Sequence, residues 1–143
     1  MLPRRDTSNF ELMKNRKILY VSSEVVPYLP ESEISSMSFE IPKMVNKQGG
    51  QIRIFMPRYG NINERRHQLH EVIRLSGLNL VINDLDMPLI IKVASIPKER
   101  IQVYFIDNEE YFKRKATFTD SDGKLFKDND ERAIFFAKGV FET

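Results

Sequence analysis

The stretch KILYVSSEVVPYLPESEISSMSFEIPKMVNKQGGQIRIFMP, residues 17–57, determines the fold class. Residues 17–22 are a short apolar run, and their near-continuous hydrophobicity suits a strand buried on both faces. Residues 51–57 form a second strand-like run. Between the two runs apolar side chains recur at helical spacing, at Ile34, Met37, Ile41, Met44 and Val45. Strand, helix and strand within about 40 residues predict a βαβ unit with a right-handed crossover.

The helix of this unit has recognisable ends. Ser32 is well placed as its N-cap, and Glu33 in the first turn favours the positive helix end. Gly49 and Gly50 end the helix. The loop before it is where an α/β protein usually holds an anion, yet residues 23–32 contain no glycine and no lysine and carry glutamates instead.

The rest of the chain alternates strands with helices. Strand-like runs occupy residues 71–75, 78–82, 88–96 and 100–106, and residues 83–88 supply hairpin-turn residues. A short helix is predicted after Asp107 and Asn108. A longer helix is predicted over residues 128–143, where Asp128 or Asn129 can act as the cap. The expected apolar face of this helix consists of Ile134, Phe135, Ala137 or Lys138, and Phe141.

This order predicts an α/β fold, a Rossmann-like βαβ half-domain with a β-hairpin insertion. We assign residues 17–143 to this domain. Residues 1–16 are basic and lack a long apolar stretch, so we interpret them as a flexible N-terminal extension and not as a signal peptide.

Composition argues against several classes of function. The net charge of the 143-residue chain is +2, from 22 Lys+Arg against 20 Asp+Glu, which is too balanced to predict nucleic-acid or membrane binding. The absence of cysteine excludes disulfides and thiolate metal sites. His67 and His70 could form a metal pair only on a helix, and we predict no metal and no cofactor. No apolar run approaches the ~20 residues of a membrane span, so a cytoplasmic location is expected.

Four stretches carry a family resemblance. The four stretches are, in chain order, KILYVSSEVVPY, IRIFMPRYGNI, VYFIDNEEYFKR and DNDERAIFF. Together they resemble the N-terminal part of bacterial glycogen (starch) synthases, the ADP-glucose-dependent glucosyltransferases. The resemblance implies a GT-B architecture, in which two Rossmann-like domains face each other across a cleft. It also implies transfer of glucose from ADP-glucose to the non-reducing end of an α-1,4-glucan, with retention of the anomeric configuration and without a metal.

The chain departs from the family in the loop before the first helix. The family carries Lys-Thr-Gly-Gly-Leu-(Gly/Ala)-Asp-Val where this chain has PESEISSM, residues 30–37. The family's lysine supplies a cation near phosphate, and its glycines let backbone N–H groups approach the sugar nucleotide. Pro30 supplies no charge, whereas Glu31 and Glu33 place negative charge where an anionic ligand would lie. Ser36 replaces the family's aspartate.

The candidate residues near the first helix each have a structural alternative. Ser32, Glu33 and Ser36 could form a degenerate sugar-nucleotide loop, or they could be only a helix start, which favours Ser and Glu anyway. Glu24 could line the cleft at the C-terminal end of the first strand, or it could be a surface turn residue.

The later candidate residues have structural alternatives as well. Tyr59, together with Arg58, could contact glucan, because tyrosine stacks on sugar faces; alternatively, Tyr59 anchors its loop by packing. Asp128, Asn129 and Arg132 match the family pattern and could shape the acceptor side of the cleft. Helix capping and an Asp–Arg surface pair would explain these three residues equally well.

The resemblance leaves two main hypotheses for function. The first is the N-terminal domain of a glucosyltransferase; this chain alone is predicted to be inactive, because the family's catalytic glutamate and most of its nucleotide site belong to a second domain. The second is a catalytically inactive glucan-binding or regulatory relative. An unrelated Rossmann-like nucleotide binder is disfavoured by the absence of a G-x-G-x-x-G turn. The expected partners are ADP-glucose, α-1,4-glucan and a second domain or partner chain, with neither nucleic acid nor membrane.

Overall fold

The computed structural model describes residues 13–143, so most of the extension proposed for residues 1–16 lies outside the described residues. The strands are β1 Lys17–Val21, β2 Gln51–Pro57, β3 His70–Glu71, β4 Asn79–Ile82, β5 Leu85–Pro88, β6 Ile90–Ser95 and β7 Gln102–Asp107. The helices that lie wholly within the described residues are α1 Glu33–Lys47, α2 Glu64–His67, α3 Glu109–Phe112 and α4 Asn129–Glu142, and Ile73–Leu75 forms a short 3-10 helix.

The strands form one sheet and a separate hairpin. The sheet has the order β1-β2-β7-β6-β3, and β4 pairs with β5 alone. β1 and β2 run parallel, with Lys17 opposite Gln51 and Val21 opposite Phe55, as a βαβ unit through α1 requires. β3 pairs with β6 in the antiparallel direction. The structure therefore has the predicted βαβ half-domain with a β-hairpin insertion.

The chain divides into two compact units. The α1 unit comprises the residues up to Phe55 together with Ser95–Val103, and the α4 unit comprises Met56–Ala94 and Tyr104–Thr143. The buried apolar side chains of the α1 unit are Val25, Tyr28, Leu29, Ile52, Ile54, Phe55, Ile96, Ile101 and Val103. The largest fully buried side chains of the α4 unit are Phe105, Phe112, Phe135, Met56, Leu89, Ile91 and Ile106. Each unit thus has an apolar centre of its own.

The hairpin region differs from the sequence prediction in two places. The strand predicted over residues 71–75 is wrong for most of its length, because β3 ends at Glu71 and a 3-10 helix follows. The turn predicted over residues 83–88 is shorter, because Leu85–Pro88 forms β5. Only Asn83 and Asp84 make the turn, with φ of 49° and 63°. Asn and Asp tolerate this left-handed backbone, which two-residue hairpin turns need.

The apolar side of α1 is exposed, although hydrophobic periodicity would place it against the core. The exposed fractions are 53% for Ile34, 56% for Met37, 37% for Ile41 and 58% for Met44. The helix instead buries Ser35, Ser38 and Pro42. Each buried residue directly follows an apolar one, so the two stripes are about 100° apart around the helix.

The face of α4 is also displaced from the prediction. Phe135 is fully buried as expected, but Ile134 is 48% and Phe141 87% exposed. The buried positions are Arg132, Phe135 and Gly139. A Cβ atom on Gly139 would lie 2.5 Å from Cγ2 of Ile106, so this helix approaches its neighbour more closely than a larger residue would allow.

Candidate functional site

The N-terminus of α1 is closed by its own side chains. Ser32 is the N-cap, as predicted, and its Oγ accepts a hydrogen bond from the N–H of Ser35 at 3.0 Å. In return, Oγ of Ser35 accepts a hydrogen bond from the N–H of Ser32 at 2.7 Å. This reciprocal capping box occupies backbone donors that a helix N-terminus could otherwise offer to an anion.

Serine side chains also fix the loop between β1 and α1. The hydroxyl oxygens of Ser22, directly after β1, and Ser38, on α1, lie 2.7 Å apart. Ser22 Oγ donates to the carbonyl of Glu24 at 2.9 Å, and Ser35 Oγ donates to the carbonyl of Pro30 at 3.0 Å. These bonds hold Glu24 just beyond the C-terminal end of β1, the edge at which open α/β sheets bind ligands.

The charge around this loop is negative. Oε2 of Glu24 accepts a hydrogen bond from the Ser32 hydroxyl at 3.4 Å, and Glu31 and Glu33 are exposed. Within residues 13–143, no Lys or Arg lies within salt-bridge distance of these three carboxylates. Ser36, in the first turn of α1, is half-buried. Carboxylates accept hydrogen bonds from sugar hydroxyls but repel phosphate, so the loop suits a neutral sugar better than a nucleoside diphosphate.

Tyr59 is a packed residue of the α4 unit. It is 4% exposed, and its ring meets those of Phe112 and Phe118 edge to face, with centroids 5.9 and 5.5 Å apart. The next residue, Gly60, lies so close to Arg114 that a Cβ would be 1.9 Å from its carbonyl oxygen. The structure therefore shows the packing alternative for Tyr59, and too little of its ring is exposed to stack on a sugar.

Arg132 is buried inside the α4 unit. Its Nε donates to the carbonyl of Tyr111 at 2.8 Å, and its Nη1 donates to the carbonyl of Thr117 and to Oδ1 of Asn129, both at 2.7 Å. The guanidinium also lies over three aromatic rings, those of Tyr59, Phe112 and Phe126. Burial, and next the nearby charge of Arg114, lower the pKa of Arg132. This arginine stabilises the fold and has no surface pair with Asp128.

Asp128 occupies the N-cap position of α4, one of the two predicted positions, but its side chain forms an ion pair and not a capping hydrogen bond. Arg114 donates to both of its carboxylate oxygens at 2.6 Å, and α4 receives no side-chain cap from Asp128. The hydrogen bonds from Arg114 lower the pKa of Asp128 against the smaller opposing effect of burial. Asn129 is the first residue of α4, and its Nδ2 donates to the carbonyl of Phe118 at 3.0 Å. The structure thus brings Asp128, Asn129 and Arg132 together at the start of α4.

A set of charged side chains at the ends of β2 and β7 was missed by the sequence analysis. Arg58 follows β2 and pairs with Glu64, while Lys92 of β6 pairs with Glu64 at 2.9 Å and with Asp107 at 2.8 Å. These residues border a cavity of about 170 Å³. The lysine inside the apolar run of residues 88–96 was the available signal, because a charge there requires a buried partner.

Two of these groups have shifted pKa values. Burial alone would lower the pKa of Lys92, but its hydrogen bonds to Asp107 and Glu64 outweigh burial and raise it. Burial alone would raise the pKa of Glu64, but Lys92 and Arg58 outweigh burial and lower it. Both groups therefore stay charged at neutral pH and tie the loop that begins at Arg58 to the sheet.

The histidines do not form the helical pair that a metal would need. His67 is the last residue of α2, Gln68 ends that helix in a left-handed conformation, and His70 belongs to β3. In the part of the chain that the structure describes, no group of three His, Cys, Asp or Glu side chains could hold a metal ion. None of the described helices is long and apolar enough to cross a membrane.

The family of the chain follows from a comparison with known proteins. A family model described as starch synthase catalytic domain matches residues 17–143. The chain belongs to this family. Proteins similar to this chain include the glycogen synthases of Chlorobium limicola and Chlorobaculum tepidum, each 43% identical to it over 131 residues. The match covers 91% of this chain but 27% of each of these relatives, so the chain spans only a part of their length.

The fold has a counterpart among solved structures. The catalytic domain of starch synthase IV from Arabidopsis thaliana, bound to ADP and acarbose, matches with a TM-score of 0.71. The match covers 90% of this starch synthase family chain and 25% of that chain, at 14% sequence identity. At this identity the likeness concerns the fold alone, and it confirms the predicted Rossmann-like α/β fold of GT-B type.

Proposed function

We propose that this chain forms the N-terminal, acceptor-side part of a glycogen or starch synthase that transfers glucose from ADP-glucose to an α-1,4-glucan. The observation that carries the proposal is the family match over residues 17–143, together with glycogen synthases that are 43% identical. A solved relative of the same fold was bound to ADP and acarbose, which supports a nucleotide as one ligand. This chain alone is expected to show no turnover.

The loop before α1 is the part of the chain that we assign to ligand contact. Glu24, Ser32, Glu33 and Ser36 lie on or beside the N-terminus of α1, and none of the four is fully buried. In our proposal the two carboxylates accept hydrogen bonds from sugar hydroxyl groups, and the two serine hydroxyls donate or accept them. Phosphate would have to be held elsewhere, because this loop offers no cation.

The residues at the start of α4 have a supporting role in this proposal. Asp128 and Asn129 are half-buried, and their side chains already bond to Arg114 and Phe118. Tyr59 and Arg132 are buried, and they stabilise the region around the start of α4. We therefore propose that Asp128 and Asn129 shape the glucan side of the site, while Tyr59 and Arg132 contact no ligand.

A specific observation favours the second candidate function, a catalytically inactive glucan-binding or regulatory relative. Ser32, one of the residues that replace the family's Lys-Thr-Gly-Gly sequence, forms a capping box with Ser35, and the carboxylates of Glu24, Glu31 and Glu33 flank it. A phosphate brought to this helix N-terminus would find no lysine, and each nearby carboxylate would oppose it by about 1–4 kcal/mol in a partly buried site.

The experiment that separates the two functions measures glucose transfer from ADP-glucose to glycogen. It uses the longest polypeptide that the native reading frame encodes, and a variant in which the family loop is restored by Pro30→Lys, Glu31→Thr, Ser32→Gly and Glu33→Gly. Turnover by the unmodified protein would support the synthase. Turnover only after restoration, with glycogen bound by both proteins in affinity electrophoresis, would identify an inactive glucan binder.

The single variant Ser32→Gly is the control for this experiment. It removes the capping hydroxyl at a cost of only a few tenths of a kcal/mol and leaves the charges unchanged. A gain from Ser32→Gly equal to that of the fourfold variant would show that the charges of the loop are irrelevant. A folded protein that neither turns over ADP-glucose nor binds glycogen would contradict both candidate functions.

The remaining parts of the proposal concern location and partners. We propose a cytoplasmic protein that interacts with ADP-glucose and α-1,4-glucan and with a second domain or partner chain. Neither nucleic acid nor membrane is proposed as a partner, because the charges of the chain are balanced at +2. Fractionation of cells that produce the protein, with the location of glycogen followed in parallel, would test the location.

A further inference from the structure

The α1 unit has a polar pocket at the end of the sheet where β2 and β7 begin. Its volume is about 300 Å³, at the lower end of the range for small-molecule sites. The buried side chains of Ile52 and Ile101 line it together with the exposed Arg53 and Arg100. Glu24 follows the other, C-terminal end of β1, which runs parallel to β2, so the pocket is separate from the loop that we assign to sugar contact.

A neighbouring side chain and the backbone position these two arginines. Nε of Arg53 donates a hydrogen bond to Oε1 of Gln102 at 3.2 Å, which leaves its terminal nitrogens for a ligand. Arg100 lies in the turn before β7 with a left-handed φ of 58°. Its N–H donates to the carbonyl of Ile96 at 3.0 Å, and the N–H of Ile96 donates to the carbonyl of Ile101 at 2.9 Å. These bonds fix the turn from which the Arg100 side chain extends.

Arg53 and Arg100 have no acidic partner among the described residues. No carboxylate within residues 13–143 lies at salt-bridge distance from either guanidinium. Two like charges that border one pocket repel each other, and an anion between them relieves this repulsion. A guanidinium can also hold two oxygens of one phosphate through parallel N–H groups. The pocket therefore favours an anion over a neutral or positively charged ligand.

The charge around the pocket is positive as well. The basic residues at this end of the α1 unit include Arg16, Lys17, Lys47, Arg53, Lys98 and Arg100. Glu99 is the one acidic residue at this end among those that the structure describes, and it pairs with Lys43 at 3.9 Å. By contrast, Glu24, Glu31 and Glu33 lie beyond the other end of β1 and at the start of α1. This separation of charge directs anions to the pocket and away from the sugar loop.

The C-terminus of α1 lies beside the pocket, and its carbonyl groups are already bonded. The N–H of Gly49 donates to the carbonyl of Asn46 at 3.2 Å. The N–H of Gly50 donates to the carbonyl of Val45 at 3.0 Å. These bonds occupy oxygen atoms of the negative helix end that would otherwise oppose an anion. Nδ2 of Asn46 donates to the carbonyl of Glu99 at 3.1 Å, which ties the end of α1 to the turn before β7.

We propose that this Arg53–Arg100 pocket binds the dianionic phosphate group of a small metabolite. The two guanidinium groups hold the phosphate oxygens, and the side-chain amides of Gln51 and Gln102 line the same pocket and can bond to hydroxyl groups of the metabolite. A small concave site suits a small molecule better than a nucleic acid or a flat protein surface. The proposal goes beyond glucose transfer, and a finding of no glucose transfer would leave it unaffected.

The test follows amide signals of the isotope-labelled 143-residue chain by nuclear magnetic resonance. The probes are glucose 1-phosphate, AMP and inorganic phosphate, each added at constant ionic strength so that screening of surface charges does not change. We expect saturable shifts at Gln51, Arg53 and Arg100, and none with glucose. Tighter binding of one ester than of inorganic phosphate would assign the pocket to that kind of ester. The reverse order would assign it to free phosphate.

Three variants locate the site. Arg53→Met and Arg100→Met each remove charge-assisted donors, and each should weaken binding of the tightest probe by about tenfold or more. Lys98→Met is the matched control, because it removes the same charge from the same turn, but Lys98 does not line the pocket. It should weaken binding by less than about threefold. All three side chains are exposed, and circular dichroism checks that the variants fold; if one does not, the shifts in the unmodified chain decide.

Each of the other outcomes would overturn the proposal. The three phosphate probes could leave these amides unshifted, or glucose could shift them as much as the phosphates do. Lys98→Met could weaken binding as much as Arg53→Met, which would mean that a diffuse positive surface attracts the anion. A short DNA duplex could also bind more tightly than every phosphate probe, which would assign this end of the α1 unit to a polyanion.

Discussion

The buried sides of α1 and α4 both differ from the sides that hydrophobic periodicity predicts, but the two helices are held by different interactions. α1 buries small side chains, and a hydroxyl–hydroxyl hydrogen bond joins Ser38 to Ser22 at 2.7 Å. α4 buries Arg132, Phe135 and Gly139, and the guanidinium of Arg132 is enclosed by carbonyl groups and aromatic rings. A neutral hydrogen bond therefore lies on the buried side of α1, whereas a buried charge lies on that of α4.

This difference predicts how each helix responds to substitution. A neutral hydrogen bond contributes about 0.5–1.5 kcal/mol, while a buried donor that serves several acceptors leaves all of them unsatisfied when it is removed. α4 should therefore depend on one residue, and α1 should depend on several weaker contacts.

The largest effect is expected from Arg132→Met. The substitution keeps most of the side-chain volume but removes the donors to the buried carbonyl of Tyr111 and the partly buried carbonyl of Thr117. At about 1–3 kcal/mol for each unsatisfied group, the free energy of unfolding should fall by roughly 3 kcal/mol or more. Urea denaturation followed by circular dichroism measures this change.

Two further variants serve as references for Arg132→Met. Lys127→Met removes an exposed charge two residues before α4 and should change the free energy of unfolding by less than about 0.5 kcal/mol. Arg132→Lys keeps the charge but loses the planar fork, and it should fall between these two variants. If Arg132→Met were as stable as the unmodified chain, the buried guanidinium would not be what holds α4.

A smaller effect is expected from Ser38→Ala in α1. Ser38 is 2% exposed, and its hydroxyl bonds to that of Ser22, which keeps a second bond to the carbonyl of Glu24. Since one neutral hydrogen bond is lost and Ser22 stays partly satisfied, the free energy of unfolding should fall by about 1 kcal/mol. The same denaturation experiment applies, and a loss as large as that of Arg132→Met would remove the distinction between the two helices.

The capping box gives a third measure of the α1 contacts. Ser32→Ala should reduce the free energy of unfolding by about 1 kcal/mol, and Ser32→Gly by only a few tenths, because glycine is itself tolerated at an N-cap. Ser36→Ala, one turn further along, is the matched control and should change it by less than about 0.5 kcal/mol. Equal effects of Ser32→Ala and Ser36→Ala would show that the cap contributes nothing.

The sequence was sufficient to predict most of the elements but not the orientation of the helices. The βαβ unit, the N-cap at Ser32 and the helix after Asn108 were predicted, because local capping and turn residues mark them. The faces of α1 and α4 could not be predicted from periodicity, since each helix also carries an exposed apolar stripe. In α4 the decisive features are Gly139 and Arg132, whose contacts involve residues far away in the sequence.

The candidate site shows the same limit. Ser32 was found because a helix N-cap is a local feature of the chain. For Tyr59, packing was only one of two predicted roles beside glucan contact. Its burial depends on Phe112 and Phe118, which lie more than 50 residues later. The pairing of Lys92 with Asp107 connects two strands and has no local signature beyond a lysine in an apolar run. Long-range partners therefore decide which polar residues remain available to a ligand.

The smallest effect is expected from Asp128→Asn at the start of α4. The hydrogen bonds from Arg114 lower the pKa of Asp128, so this carboxylate stabilises the folded chain above the unfolded-state pKa of about 3.9. Its contribution is lost as the pH falls through the lowered pKa of the folded state. Asp128→Asn should therefore cost about 0.2–1 kcal/mol at pH 7 and progressively less below pH ~4, since a partly exposed ion pair contributes little.

The pH dependence of Asp128→Asn is what tests the comparison at the helix starts. Measuring the free energy of unfolding of both proteins from pH 7 down to pH 3 gives the difference directly. For Ser38→Ala in α1, which removes a hydrogen bond between two hydroxyl groups and involves no ionisable group, the same difference should not vary with pH. A difference for Asp128→Asn that also stayed constant would mean that the charge of Asp128 does not stabilise the start of α4.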